Sequence, residues 1–292
     1  MSLADTLSPA DPLEISAPPE RVNYAIGVLL DAQDFKDEQT YHRGRLAAAL
    51  KHLVGFGTVA GLRVNPPGAE DAELEVRVEP GLAIDRHGRL VEVRQPQCIR
   101  LARWFAAQST GALRAAIQRK PRVKMDVAVV VDVFLSANSC ARGKTPAFAT
   151  GPFDALDAVV PSRLAEAHRL ELAPRAEGPP DPIPAPRNLW PSADAGREVL
   201  LQAVLGSWEA APTTADESLN PLAEHVEGLD PTAVLLARVS IPVTLAANAP
   251  AGGRPVLKLT ERVSVDNALR PFIYLPGKWL GRAFEAHPLI EP

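Results

Sequence analysis

Two runs set the fold problem for this chain. Residues 126–135, Asp-Val-Ala-Val-Val-Val-Asp-Val-Phe-Leu, are an almost unbroken apolar stretch rich in β-branched side chains, and residues 232–245, Thr-Ala-Val-Leu-Leu-Ala-Arg-Val-Ser-Ile-Pro-Val-Thr-Leu, are a second. β-Branched side chains are stiff at χ1 and favour extended backbone, and a strand without polar alternation must be covered on both faces. Each run is therefore predicted to be a buried strand, and the rest of the chain has to supply the cover. Pro242 brings no amide donor, which places its end of the second run at an edge or a bulge.

The clearest helical pattern lies upstream, at residues 31–55. Phe35, His42, Leu46, Ala49, Leu50 and Leu53 recur at helical spacing on one face, while Lys36, Asp37, Arg43, Arg45 and Lys51 fall mostly elsewhere. Asp31 and Asp34 suit the helix start, and Gly55 and Gly57 end it. The helix is predicted to be a strut, with Phe35, Leu46, Leu50 and Leu53 packed against the β structure that follows. There, residues 58–64 have a strand pattern, Leu74, Val76 and Val78 alternate with charged residues, and Pro80-Gly81 breaks the run before 82–84 resumes it. Asp85-Arg86-His87-Gly88 has the order of a type I turn with a following bulge, and 89–93 returns as a strand, giving a compact antiparallel unit.

Other segments are predicted from the same rules. Residues 21–30 form a strand or packed lead-in bent at Gly27. Residues 101–119 are helical with an interruption at Ser109-Thr110-Gly111, and a loop carries Cys140, Arg142, Gly143 and Lys144. Residues 162–172 fit a helix or a strand; the strand is favoured because Leu170 and Leu172 flank the charged Glu171, and it sets Leu164, Glu166, His168, Leu170 and Leu172 on one face. Helices are predicted at 195–208 and 220–229, a polyproline-like excursion at 174–191, and a strand at 256–260 pairing back as a hairpin. The resulting fold class is α+β and β-rich. It comprises an extended arm at 1–20, a helix plus antiparallel β domain at 21–120, and a second mixed region at 121–292 with Pro-rich insertions, the boundary lying near Lys120-Pro121.

Several pieces of the sequence carry a resemblance. They are Leu29-Leu30-Asp31-Ala32-Gln33-Asp34-Phe35, Glu38-Gln39 with Tyr41-His42, Arg45, His52-Leu53-Val54-Gly55, and Gly61-Leu62-Arg63-Val64. Downstream come Val78-Glu79-Pro80-Gly81-Leu82-Ala83-Ile84-Asp85 with Gly88-Arg89, Ser162-Arg163-Leu164 with Arg169-Leu170-Glu171-Leu172, Leu236-Ala237-Arg238-Val239, and Val265-Asp266-Asn267 with Arg270-Pro271. In this order they resemble a signature of structural proteins encoded with phage tails and phage-tail-like contractile injection systems, of the baseplate, fibre or adaptor type. The chain departs from that pattern at Gly44 and in its long Pro/Ala-rich insertions. The resemblance implies a non-enzymatic part of a particle assembled in the cytoplasm, with other tail or baseplate proteins and further copies of itself as partners. It implies no catalytic residue, cofactor or metal ligand.

Composition narrows the classes independently. At 292 residues with 46% hydrophobic content the chain can bury a sizeable core, and 29 prolines against 19 glycines mark long loop excursions. A net charge of −4 gives no basic footprint for nucleic acid. No stretch reaches the roughly 18 apolar residues of a membrane helix, and the first residues lack the basic and apolar regions of a signal peptide. Cys98 and Cys140 are too few for a disulfide framework or a zinc site and are predicted as isolated thiols. The arm and the 174–191 excursion are poor in apolar side chains, so they are predicted to order on a neighbouring subunit.

Candidate chemistry is sparse. No phosphate loop, dinucleotide fingerprint, zincin helix or nucleophile elbow occurs. Glu38 and His42 share a helix face at ligand spacing but lack further ligands, and Glu166 and His168 share a strand face without a nucleophile or orienting group. Asp85–Gly88 is predicted to be a hairpin turn. Two other function classes remain open: a carbohydrate- or surface-binding module using Trp190, Trp208 and Trp279, and a cell-wall hydrolase needing two carboxylates about 5–10 Å apart.

Overall fold

The computed structural model describes residues 11–14, 20–68, 74–122, 125–146, 159–175, 201–202, 205–206, 219–245 and 253–273. The fold is α+β with strands predominating, and its sheets are antiparallel. In chain order the elements begin with helix α1 (Ala32–Leu53), then β1 (Gly57–Gly61), β2 (Val64–Asn65), β3 (Glu75–Val78), β4 (Gly81–Ile84), β5 (Leu90–Val93) and β6 (Gln97–Arg100). Two short helices follow, α2 (Leu101–Ala107) and α3 (Thr110–Ala115), with Ser109 capping the second through its side chain, as its place in the predicted interruption suggests. The remaining strands are β7 (Ile117–Arg122), β8 (Met125–Arg142), β9 (Thr145–Pro146), β10 (Val159–Val160), β11 (Arg163–Pro174), β12 (Val234–Thr244), β13 (Val256–Leu257) and β14 (Ser264–Asp266).

The two apolar runs lie side by side as β8 and β12 at the centre of the largest sheet, with β11 on the other side of β8. On β8, Val129, Val131, Val133 and Leu135 enter the main core, while Phe134 on the opposite face joins Leu229, Ala233 and Leu235. β12 achieves the same two-sided burial through a bulge between Leu235 and Ala237. Leu236 is the extra residue and reverses the side-chain alternation, so Val234 before it, Leu236 itself, and Val239, Ile241 and Val243 after it all face the main core. The predicted irregularity thus falls at Leu236. Pro242 instead sits where the short β13 ladder ends, its carbonyl accepting from the Lys258 amide.

The expected hairpin at 256–260 is therefore brief. β8 runs further than its apolar stretch, through Cys140 to Arg142, because β11 pairs with it from Arg163↔Arg142 to Pro174↔Val131. The loop predicted around Cys140 and Arg142 shrinks to Gly143-Lys144. The same ladder bears out the strand reading of 162–172.

The main core draws Leu62, Val76, Val78, Val91 and Leu113 together with Val131, Leu236 and Val263. The boundary predicted near Lys120-Pro121 falls inside β7, at the two residues that the β7–β8 register skips between Arg119 and Arg122. Arg254 ties the late chain to α2, donating to the Phe105, Ala106 and Gln108 carbonyls at the helix end, the first of which also accepts from the Gln108 amide. Residues 220–229, predicted as a short helix, form turns held by the Leu222 and Val226 carbonyls. Of the helix predicted at 195–208, residues 201, 202 and 205 are helical, Gly206 is a turn residue with its amide on the Gln202 carbonyl, and the rest lies outside the described residues.

Helix α1 begins as its sequence indicates. The Asp31 carboxylate accepts from the Gln33 and Asp34 amides, the Asp34 carboxylate accepts from the Asp31 amide, and Gly55 closes the end at φ +86 with its amide on the Leu50 carbonyl. Its orientation differs from expectation. Ala47 is buried against the β4–β5 turn, while Phe35, Leu46 and Leu53 point into solvent and Leu50 is half-buried. At 100° per residue, Phe35, Leu46 and Leu53 lie within about 20° of one line and Ala47 about 120° from it. Close backbone approach at Gly88 requires a small residue on the docking side, and that requirement outranks the apolar stripe. Leu53→Ala is accordingly expected to change unfolding free energy by no more than about 0.5 kcal/mol in dilute protein, as measured by urea titration.

The lead-in is not packed either. Residues 20–30 carry a turn at Ile26-Gly27 and leave Tyr24, Ile26, Val28, Leu29 and Leu30 exposed. Within the predicted arm, Pro12–Glu14 form a single 3-10 turn, with Asp11 taking hydrogen bonds from Arg43 and Arg89 and Leu13 lying beside Gly44. This part of the arm is fixed on its own chain, because it supplies a carboxylate to two arginines.

Candidate functional site

The Asp85–Gly88 segment is the hairpin turn its sequence predicts, with the Gly88 amide on the Asp85 carbonyl at 2.9 Å and Gly88 at φ +86. It is also the point where distant segments meet. Asp85 is fully buried; one of its oxygens accepts from the His87 and Arg89 amides and the other from Arg89 Nε at 2.6 Å. The Arg89 guanidinium continues to Asp11 and to Thr232 Oγ1, whose hydroxyl donates to Asp230 at 2.7 Å. Burial opposes the Arg89 charge, but the Asp85 and Asp11 carboxylates outweigh it and hold the group protonated. Arg86 donates to the Asn220 and Pro231 carbonyls. One turn thus fixes the N-terminal segment and residues 219–232 to the β4–β5 hairpin.

A second buried carboxylate lies in the central strand. Asp132 is fully buried and opposes Arg238 in the β8–β12 register, accepting from its Nε at 2.7 Å and its Nη2 at 2.9 Å. Arg175 adds a bond at 3.1 Å and also donates to the Glu224 carbonyl. Beside it, His225 accepts from the Leu222 amide at Nδ1, which leaves Nε2–H to donate to the Ala233 carbonyl. Burial lowers the pKa of His225, and burial followed by the nearby Arg89 charge lowers that of His87. Both groups bind a proton more readily in the unfolded chain, so stability is complete above their ordinary value of 6.5 and falls as pH drops below it. The expected loss is at most about 1.4 kcal/mol per pH unit for each histidine, before most carboxylates titrate. Melting curves from pH 7.5 to 5.0 should show it, and His225→Gln should flatten the slope; an unchanged slope would contradict the assignment.

A third polar junction joins the β1–β2 segment to the chain after β14. Asn267 accepts the Val64 amide and donates to the Val64 carbonyl, both at 2.9 Å, forming a two-point clasp. Arg270 is buried, donates to the Leu62 carbonyl and to Asn267, and lies against the Phe272 ring. Burial draws its pKa down to about 10, so it remains charged at neutral pH. Sequence reasoning missed Asp132, Asn267 and Arg270 as working residues. The signals present were a carboxylate inside an apolar strand and the amide and guanidinium of Val265-Asp266-Asn267 and Arg270-Pro271, and neither names its partner.

The sequence-derived pairs are placed differently. His42 Nε2 is 2.9 Å from Glu38 Oε1 on the outer part of α1, and no three His, Cys, Asp or Glu side chains gather as a metal cluster among the described residues. Glu166 and His168 alternate on β11 as expected, with Glu166 exposed and Leu164 64% exposed beside it. Among the described residues that strand surface is open to water, whereas an acid-base pair acting on a bound substrate needs a site that excludes it. Trp190, Trp208 and Trp279 lie outside the described residues. Cys98 and Cys140 are exposed free thiols. No protein-family model and no curated protein sequence matches the chain. No helix among the described residues is long and apolar enough to cross a membrane.

Proposed function

We propose that this chain is a non-enzymatic structural subunit of a phage tail or phage-tail-like contractile injection particle, serving in the baseplate, at a fibre attachment or as an adaptor. The observation that supports this reading is the meeting in space of two of the sequence pieces that resemble such proteins: Leu62 and Val64 are bonded to Arg270 and Asn267 across more than two hundred residues. Within a third piece Asp85 holds Arg89, and Arg238 of a fourth holds Asp132 on the neighbouring strand, so these pieces supply residues that brace the fold. The buried Asp85, Arg89, Asp132 and Arg270 side chains are engaged with other side chains and with backbone, an arrangement suited to a rigid part.

Particles sedimented from producing cells provide the test. The chain should travel with sheath and tube proteins, and antibody labelling should mark the baseplate or fibre region. Its recovery only as free protein would overturn the reading. Peptidoglycan or polysaccharide degradation lost on Glu166→Gln or His168→Ala would establish a hydrolase instead, and glycan-array binding by the isolated protein would favour the surface-binding class.

A further inference from the structure

The 3-10 turn at Pro12–Glu14 docks on the protein as a separate plug. It is organised from within: the Asp11 carboxylate accepts from the Leu13 amide at 3.1 Å and the Asp11 carbonyl from the Glu14 amide at 3.0 Å. Among the described residues, its hydrogen bonds to the rest of the chain all run through side chains. Asp11 accepts from Arg43 Nη2 at 3.1 and 3.2 Å and from Arg89 Nη1 at 3.3 Å, and Glu14 lies 3.5 Å from Arg89. Leu13 lies over Gly44, where α1 has no side chain to displace it. The two sides are complementary in charge. Residues 1–14 hold Asp5, Asp11 and Glu14 and no lysine or arginine, whereas the seat presents Arg43 from α1 and the arginine just before β5.

We propose that the Arg43–Gly44–Arg89 seat is a receptor for this acidic turn and that, where copies of the chain lie side by side, it takes the turn from a second copy, the two N-terminal segments being exchanged. A plug held by side chains makes the same bonds whichever chain it comes from, so its connection decides between the two arrangements. The connection to α1 allows either. At about 3.3 Å per residue, residues 15–31 can span roughly 55 Å, further than the about 33 Å length of α1. Of its described residues, 20–31, only Val22 is even half-buried, so this stretch adds little to hold the turn on its own chain. A free copy keeps its own turn because the tether holds it at an effective concentration of about millimolar, and a neighbour fixed in an assembly competes at a similar one. Reciprocal exchange is isologous and closes as a dimer. The exchange rests on the multi-copy reading of the proposed function for its setting, while the receptor can be tested on the free protein.

Two full-length chains, both on a Cys98→Ser, Cys140→Ser background and each broken on one side, carry the test. The donor has Arg43→Glu, which repels its own turn, together with Leu13→Cys. The receiver has Asp11→Ala, which frees its seat, together with Gly44→Cys. Both should melt within a few degrees of the background, since Arg43 is 43% exposed and the Asp85–Arg89 pair is untouched. Mixed at about millimolar concentration and treated with a short thiol–thiol cross-linker, they should give a one-to-one heterodimer, and either chain alone should give at least about ten-fold less cross-linked product. Placing the receiver's thiol at Lys36→Cys instead of Gly44→Cys should remove the heterodimer, and molar salt should reduce it by screening the ion pairs. A mixture no more cross-linked than its components, or equal cross-linking through Lys36→Cys, would overturn the proposal. If the chain sediments with particles but its variants do not complement each other, only the exchange fails. If they complement each other and the chain is recovered only as free protein, the exchange stands and the proposed function fails.

Discussion

Asp132→Ala is expected to destabilise the protein by about 3–5 kcal/mol, a large part of the stability of a typical domain. The carboxylate lies on the central strand, fully buried, with Arg238 directly across the ladder and Arg175 above it. Removing it leaves two guanidinium groups facing each other with no anion between them. Each keeps about a fifth of its side chain in solvent, 19% for Arg238 and 22% for Arg175, so hydration recovers part of the loss and the lower half of that range is the better expectation. Arg175 also holds the Glu224 carbonyl, so residues 219–232 should loosen with it. Asp132→Leu combined with Arg238→Met should recover much of the deficit, because a matched apolar pair carries no desolvation penalty. Urea titration of the three proteins checks this; a single-variant loss under about 1 kcal/mol would show that the triad contributes little.

The strand of which Asp132 is part was legible, but its partner was not. Val127 to Leu135 could only be a covered strand, and a lone carboxylate in such a strand must be neutralised by a cation. With 31 Lys and Arg residues to choose from, nothing in the local sequence marks Arg238, which stands in the other apolar run at a register set partly by a bulge. The extension of β8 past Leu135 was hidden for a related reason. Ser136 to Arg142 has no apolar alternation, and its extended form comes from pairing with β11. Turn chemistry at Asp85–Gly88 was readable because it acts within four residues, whereas the Asn267 and Arg270 contacts act across the chain. The α1 face was misassigned because the pattern rule takes the apolar stripe as the buried one. Here a contact at Gly88 demanded small residues on the inner side, and the stripe was left exposed among the described residues.

Gly88→Ala is the sharpest test of that docking, with an expected loss of about 2–4 kcal/mol. Gly88 is buried at φ +86, where an L side chain costs roughly 1–2 kcal/mol, and an added Cβ would overlap the Ala47 carbonyl oxygen, a backbone atom with no rotamer to change. Relieving the overlap means moving α1 or the hairpin, an overpacking cost of about 1–3 kcal/mol. The alanine restricts the unfolded chain and returns roughly 0.4–1 kcal/mol, which is too little to change the sign. The location of the damage separates this from a general loss of stability. Hydrogen exchange should accelerate in 32–53 and at the turn, where Asp85, Arg89 and Asp11 lose their alignment, while β8 and β12 exchange only with global unfolding. Uniform acceleration across the chain would place α1 within the cooperative core. Unchanged exchange in α1 would show that the close approach at Ala47 does not hold the helix, and that another contact does.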